Sequence, residues 1–174
     1  MLESRAVTPE SLNQITNDLR SIARRAGAAI TASAASSMTV ERKADQSPGI
    51  AADTAANDLL VTALSNLTPD IPVVSEEGAQ VLTTPDQPFW LVDPLDGTKE
   101  FIAGNGEFTV NIALIEQRKP TRGVIYAPAT YRMFFSSGPG QAFQQFGTAP
   151  PTHLKARIAE PGSLVALASR SHLD

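Results

Sequence analysis

Residues 90–115, WLVDPLDGTKEFIAGNGEFTVNIALI, set Asp93 and Asp96 around a proline at the end of an apolar run and follow them with Gly97 and Thr98. Neighbouring carboxylates repel, and a folding chain gains nothing from that repulsion unless a cation lies between them. Pro94 cannot donate to a strand ladder and Gly97 turns readily, so the strand is expected to end at Asp93. Asp93, the carbonyl of Leu95 and Asp96 then crowd one small volume. All are hard oxygen donors of the kind magnesium takes. Gly97 and Thr98 come next, where backbone N–H groups can meet a phosphate if a helical turn starts there. An ordinary Asp-Pro-x-Asp-Gly turn accounts for the same letters, and spacing alone favours that turn. The spacing of the acids is not that of an EF-hand loop.

A second acidic pair lies upstream. Val73-Val74-Ser75-Glu76-Glu77-Gly78 is another apolar strand that stops abruptly in carboxylates. Two strands of one sheet, each ending in acids, can converge on a shared cation; a solvated strand end reads the same letters equally well. A third acid, Asp53, follows Ser47-Pro48 at the start of a helix, where an acidic residue also serves the helix dipole.

The elements around these acids give the fold class. Thr8 can cap a first helix, Pro9 suits its first position, and Leu12, Ile15, Leu19, Ile22 and Ala26 follow at helical spacing. That helix ends in a small-residue stretch, Ala26 to Ser37, fading near Ser36 and Ser37, and Thr39 to Lys43 reads as a short strand. A second helix covers about Ala51 to Leu64 and closes at Thr68-Pro69-Asp70. Beyond it, Pro72–Val74, Phe89–Val92, Phe108–Glu116, Gly123–Tyr126, Arg132–Ser136 and Gln141–Phe146 read as strands, with Val110, Ile112 and Leu114 alternating against Thr109, Asn111 and Ala113. Connections such as Lys119-Pro120 and Ser137-Gly138-Pro139-Gly140 are too short for helical crossovers, so the sheet is expected to be mainly antiparallel. Two helices on an antiparallel sheet make an α+β layered domain. Pro150-Pro151 and Pro161-Gly162 read as linkers before a last strand, Leu164 to Ser169.

Bulk composition narrows the chemistry. The chain has 174 residues, 42% of them hydrophobic, which is enough for one domain with a real core. Its 13 prolines and 11 glycines fit a loop-rich mixed fold better than a helical bundle. A net charge of -4 argues against a nucleic-acid groove. The absence of cysteine excludes disulfides, thiol catalysis and thiolate metal sites, and two histidines, His153 and His172, are too few for a histidine-rich centre. MLESRAVTPE has no apolar signal region and no stretch approaches a membrane span, so a cytoplasmic chain is expected. GNGEFT at Gly104 and GPGQAF at Gly138 lack the last glycine of a dinucleotide fingerprint, and no phosphate-binding Gly-Lys-Ser/Thr loop exists. Lys43, Lys99 and Lys119 read as solvated charges, and His172 as structural.

Taken together, Glu76-Glu77 and Asp93-Pro94-Leu95-Asp96-Gly97-Thr98 resemble the signature of the lithium-sensitive, magnesium-dependent phosphatases of the inositol monophosphatase superfamily. The longer match, LTPDIPVVSEE with DPLDGTKEFIAGNGEFTVNIALI, is similar to one branch, the bacterial 3'(2'),5'-bisphosphate nucleotidases, which convert adenosine 3',5'-bisphosphate to AMP. The resemblance runs from about Leu12 to the last residue. It implies a layered αβαβα sugar-phosphatase fold of which residues 1–160 form the metal-binding α+β part and 161–174 the first strand of a second, otherwise absent α/β domain. It implies two or three magnesium ions: a first held by Glu76, Asp93 and the Leu95 carbonyl, a second by Asp93 and Asp96. It assigns Glu76 and Thr98 to the attacking water with Asp53 assisting, and Glu76, Leu95, Asp96, Gly97 and Thr98 to the substrate. The implied partner is a small-molecule phosphate ester, with no nucleic acid and no transmembrane segment; a homodimer and a peripheral seat on the inner face of the cytoplasmic membrane stay open.

Two departures from the family pattern stand out. Gly49-Ile50-Ala51-Ala52-Asp53 replaces Val-Thr-Ala-x-Asp, so a threonine hydroxyl that would support Asp53 is missing. The family also closes its site with an aspartate from a Trp-Asp stretch, and the only tryptophan here is Trp90. An inositol monophosphatase is the same-fold alternative, and a catalytically silent metal-binding module the alternative of another class.

Overall fold

The computed structural model describes residues 9–39, 48–78, 86–158 and 162. Two helices, α1 (Pro9–Thr39) and α2 (Pro48–Leu67), precede a sheet of β1 (Val73–Ser75), β2 (Phe89–Asp96), β3 (Thr109–Glu116), β4 (Lys119–Ala127), β5 (Arg132–Ser136), β6 (Ala142–Phe146) and β7 (Thr152–His153). A short helix, α3 (Thr98–Ala103), follows β2, and a 3-10 turn, Pro128–Thr130, links β4 to β5. The strands lie side by side in sequence order, with β1 parallel to β2 and every later pair antiparallel. This is the α+β arrangement that the sequence predicts.

Helix α1 packs because Leu19, Ile22, Ala23, Ala26 and Ile30 recur at helical spacing and are all buried. Its small residues let it approach the sheet closely: a Cβ on Gly27 would stand 2.7 Å from Tyr126 Cε1 and 2.8 Å from Pro128 Cγ. Helix α2 contributes Ala52, Ala56, Leu60 and Leu64 to the same core. From the sheet come Trp90, Val92, Val110, Ile112, Leu114, Val124, Tyr126, Met133 and Phe135, alternate residues of β2 to β5 that face the helices. Trp90 is fully buried and its indole N–H donates to Thr68 Oγ1 at 2.7 Å, tying β2 to the turn that closes α2. Gln145 is buried as well, but satisfied: its amide oxygen accepts from Arg20 at 2.6 Å and Arg24 at 2.5 Å.

Several boundaries differ from the sequence expectation. Helix α1 continues without a break through Ser36 and Ser37 to Thr39, since nothing in its alanine-rich end stops it; Thr8 and residues 40–43 of the expected strand lie outside the described residues. Lys119-Pro120 belongs to β4, and the hairpin turns instead at Gln117 and Arg118, both at positive φ. Non-glycine residues at those positions gave no turn signal. After Pro150-Pro151, read as a linker, Thr152–His153 adds β7 to the sheet edge. Leu164 to Ser169 and His172 lie outside the described residues. Among the described residues no helix is long and apolar enough to cross a membrane.

Candidate metal centre

The strand that carries Asp93 does not end there. β2 runs on through Pro94 to Asp96, with Asp93 opposite Asn111, Asp96 opposite Thr109, and a register shift between them. In a regular strand, residues three apart point to opposite faces. Here Pro94 and Leu95 are both buried, while Asp93 is half-buried and Asp96 exposed. The bulge absorbs one extra residue, so both carboxylates emerge on the same face, away from the helices. It also accommodates Pro94, whose missing N–H would interrupt a regular ladder. The proline thus marks a kink within the strand rather than its end.

Parallel pairing brings in the second acidic strand end. Val73, Val74 and Ser75 lie beside Trp90, Leu91 and Val92, and the Glu76 N–H donates to the Val92 carbonyl at 3.1 Å. Glu76 therefore leaves β1 next to Asp93. An antiparallel pair would have sent the two acidic ends to opposite edges of the sheet. The turn after β1 is fixed by the Gly78 N–H donating to Ser75 O at 3.2 Å, and the Ser75 hydroxyl donates to Asn57 Oδ1 on α2 at 2.6 Å. Asp53 stands one helical turn before Asn57, on the same side of α2. The helix carries it towards Glu77.

Electrostatics record this crowding. Burial pushes the Asp53 carboxyl up to about 7, helped by repulsion from Glu77 and Asp93, by a hydrogen bond with Glu77 and by repulsion from Glu76. Asp93 is pushed up to about 6 by burial, by repulsion from Glu76 and Asp96 and by a hydrogen bond with Glu76, against which the Leu95 N–H donates to Asp93 Oδ1 at 3.2 Å. The acids are thus paired in two couples, Asp53 with Glu77 and Asp93 with Glu76. Among the described residues no three acidic or histidine side chains gather closely enough to grip one ion. The two observations differ in range only: repulsion acts across several ångströms, ligation at little more than two. Asp53 Oδ1 is buried and has no hydrogen-bond partner.

The remaining expected residues sit at the same strand end. Thr98 opens α3, and its hydroxyl donates to the Leu95 carbonyl at 3.2 Å. Gly97 precedes it in the left-handed conformation, at φ 92 and ψ 43. Asp96 Oδ2 accepts from Asn111 Nδ2 at 3.2 Å, and Asn111 Oδ1 accepts from the Thr109 hydroxyl at 3.2 Å. Asp53, Glu76, Asp93, Leu95, Asp96, Gly97 and Thr98 thus fall in one region. The sequence reading missed Glu77 as the partner of Asp53, and missed Thr109 and Asn111. The alternation of β3 placed those two on one face, but only the bulge in β2 brings Asp96 opposite Thr109 and within reach of Asn111.

A pH dependence follows for the metal-free chain. The raised values mean that the folded state holds protons on Asp53 and Asp93 which the unfolded chain, with carboxyls near 4, has already released. Stability is therefore fully present below about pH 4 and is lost as pH rises through about 6 to 7. Melting in EDTA from pH 5 to 8 is expected to show a falling Tm, flattened by Asp53→Asn. A Tm that rises over that window in wild type would contradict the crowding.

Comparison with known proteins gives the family. Residues 11–173 match the inositol monophosphatase family. The 3'(2'),5'-bisphosphate nucleotidase CysQ of Salmonella typhimurium is 48% identical over 157 residues, covering 88% of this chain and 62% of its own length. The CysQ nucleotidase of Escherichia coli K12 is 48% identical over 139 residues, 79% of this chain and 55% of its own. Among solved structures, CysQ from Bacteroides thetaiotaomicron, described as a bacterial member of the inositol monophosphatase family, superposes with a TM-score of 0.63 at 37% identity over 77% of this chain and 49% of its own. The extragenic suppressor protein SuhB from Bartonella henselae does so with a TM-score of 0.63 at 27% identity, over 78% of this chain and 52% of its own. The chain thus spans between about half and three-fifths of the length of these relatives. By the match over residues 11–173 and these identities, the chain belongs to the inositol monophosphatase family.

Proposed function

We propose that the chain carries the metal-binding part of a magnesium-dependent phosphatase that removes the 3'-phosphate of adenosine 3',5'-bisphosphate, leaving AMP and phosphate. The observation that carries the proposal is the bulge at Pro94–Leu95, which turns Asp93 and Asp96 to one face beside Glu76. The donor set fits a hard cation. All of its donors are oxygens, and a cation would relieve the repulsion from Glu76 and Asp96 that adds to burial in raising Asp93; Asp53 Oδ1, buried without a partner, belongs to the same cluster. Glu76, Asp93 and the Leu95 carbonyl would hold one ion, and Asp93 and Asp96 a second. Such ions supply an acidified water and neutralise charge on the attacking and leaving oxygens.

The chain's own residues do the positioning. The Thr98 hydroxyl donates its one hydrogen bond to the Leu95 carbonyl, so its oxygen can accept a hydrogen bond from a water and aim that water's lone pair. Glu76, exposed and next to Asp93, is the carboxylate that can receive the water's proton. The first N–H groups of α3, from Gly97 and Thr98 onward, have no acceptor within the helix and suit phosphate oxygens. Asp53, through its bond with Glu77, steadies the far side of the cluster. The nucleotide as substrate rests on the CysQ relatives, which are named 3'(2'),5'-bisphosphate nucleotidases. The greater length of those relatives supports a division between residues 1–160 and a further α/β domain beginning in 161–174.

The test is phosphate release from adenosine 3',5'-bisphosphate and from inositol 1-phosphate, with magnesium and with EDTA. The expected result is magnesium-dependent release, abolished by EDTA and faster with the nucleotide. Release that ignores EDTA would overturn the metal assignment, and a preference for inositol phosphate would move the chain to the inositol branch. No release, with no stabilisation by magnesium either, would leave a silent module and overturn the proposal.

A further inference from the structure

We propose that Asn111, itself held by Thr109, is a positioning residue for Asp96: it fixes one oxygen of that carboxylate and leaves the other for a divalent cation. The inference rests on the reading of Asp93 and Asp96 as ligands. Asn111 lies directly across from Asp93 in the β2–β3 ladder, and its Nδ2 donates to Asp96 Oδ2 at 3.2 Å. One neutral side chain is therefore neighbour to both acids.

The direction of the amide is set by Asp96, whose carboxylate only accepts, so the NH2 must face it. The Thr109 hydroxyl, two residues along the same strand face, then donates to Asn111 Oδ1 at 3.2 Å and holds the amide in that orientation. Asp96 is exposed, and a free carboxylate there would sample several rotamers. The hydrogen bond selects one of them before any ion arrives. A neutral donor suits this task. Lysine or arginine would also anchor Asp96, but would place a fixed positive charge where the cation must sit. A glutamate or aspartate would add repulsion beside Asp93, which already feels both Glu76 and Asp96. Outer partners that orient ligating groups typically change metal affinity by about 10–100-fold when removed.

The experiment is a calorimetric magnesium titration of the 174-residue chain, with the magnesium-induced change in Tm as a second readout. Asn111→Leu keeps the size of the side chain and removes the donor. It is expected to weaken magnesium affinity by about 10–100-fold. Thr109→Val, which keeps shape and removes the hydroxyl, should weaken affinity in the same direction, and Thr109→Ser should restore it. In an Asp96→Asn background, Asn111→Leu should weaken affinity no further, because the residue acts through Asp96. If Asp93→Asn and Asp96→Asn weaken binding but Asn111→Leu and Thr109→Val do not, positioning is overturned while the metal reading stands. If Asp93→Asn and Asp96→Asn leave affinity unchanged, the metal reading itself fails. An Asn111→Leu loss of equal size with and without Asp96 would show a merely structural effect and overturn the inference.

Discussion

Asp93→Asn is expected to abolish the response of the chain to magnesium while leaving the metal-free fold as stable as wild type, or more so. Asp93 is the acid shared by both proposed ions, and it is the one that Glu76 and Asp96 both repel. Asparagine keeps the side-chain oxygen that accepts from the Leu95 N–H, so the bulge retains its internal hydrogen bond. It removes one negative charge from the cluster, which lessens repulsion when no cation is present. The same change deletes a ligand when one is. A ligand at 100 times its dissociation constant stabilises a fold by about 2.7 kcal/mol, and this increment should disappear in the variant. Phosphate release should fall by at least the ~10²–10³ that losing one preorganised transition-state contact costs. Melting curves in EDTA and in saturating magnesium, with parallel turnover measurements, decide the matter. A variant that melts lower in EDTA but keeps its full magnesium increment would show Asp93 to be a structural residue.

The sequence made the two layers legible, because each rests on a local pattern. Leu19, Ile22 and Ala26 recur at helical spacing, and Val110, Ile112 and Leu114 at strand spacing, and all are buried where those periods put them. The local geometry of the site was less legible. Pro94 signals a break to any reading by propensity, yet the strand passes through it because a bulge needs no ladder hydrogen bond at that point. Parallel pairing of β1 with β2 is a long-range choice that no letter near Glu76 encodes, and it is what sets Glu76 beside Asp93. Residue types named the chemistry, since clustered oxygens after two strands suggest a hard cation. Tertiary pairing decided which acids face one another, giving Asp53 to Glu77 and Asp93 to Glu76. Asn111 was read only as one member of an alternating strand, because its partner Asp96 lies fifteen residues away across the bulge.

Gly97→Ala is expected to destabilise the chain by about 2–5 kcal/mol, far more than Gly104→Ala, although both glycines hold left-handed backbone at the two ends of α3. Gly97 has φ 92 and Gly104 φ 70, so a side chain at either pays the left-handed penalty, about 1–2 kcal/mol. Only Gly97 lacks room. A Cβ there would stand 2.8 Å from the Glu107 carbonyl oxygen and 3.3 Å from Phe108 Cα, whereas one on Gly104 would meet nothing within 4 Å. The obstructing atoms are backbone of the two residues just before β3, which cannot swing aside as a side-chain tip would. Relief must come from moving α3, and α3 is pinned by Phe101, buried against Phe108 with ring centroids 5.2 Å apart at 86°. Overpacking of this kind adds roughly 1–3 kcal/mol to the backbone penalty. At about 2–4 °C per kcal/mol for a chain of this size, Tm should fall by about 4–20 °C for Gly97→Ala and by about 2–8 °C for Gly104→Ala. The displacement also reaches the chemistry, because Thr98 opens the same helix and its hydroxyl holds the Leu95 carbonyl. Phosphate release by Gly97→Ala should therefore be lost even at temperatures where the variant remains folded. Equal melting temperatures for the two variants would mean that α3 can shift freely, and that the close approach of Gly97 to β3 neither holds the helix nor places Thr98.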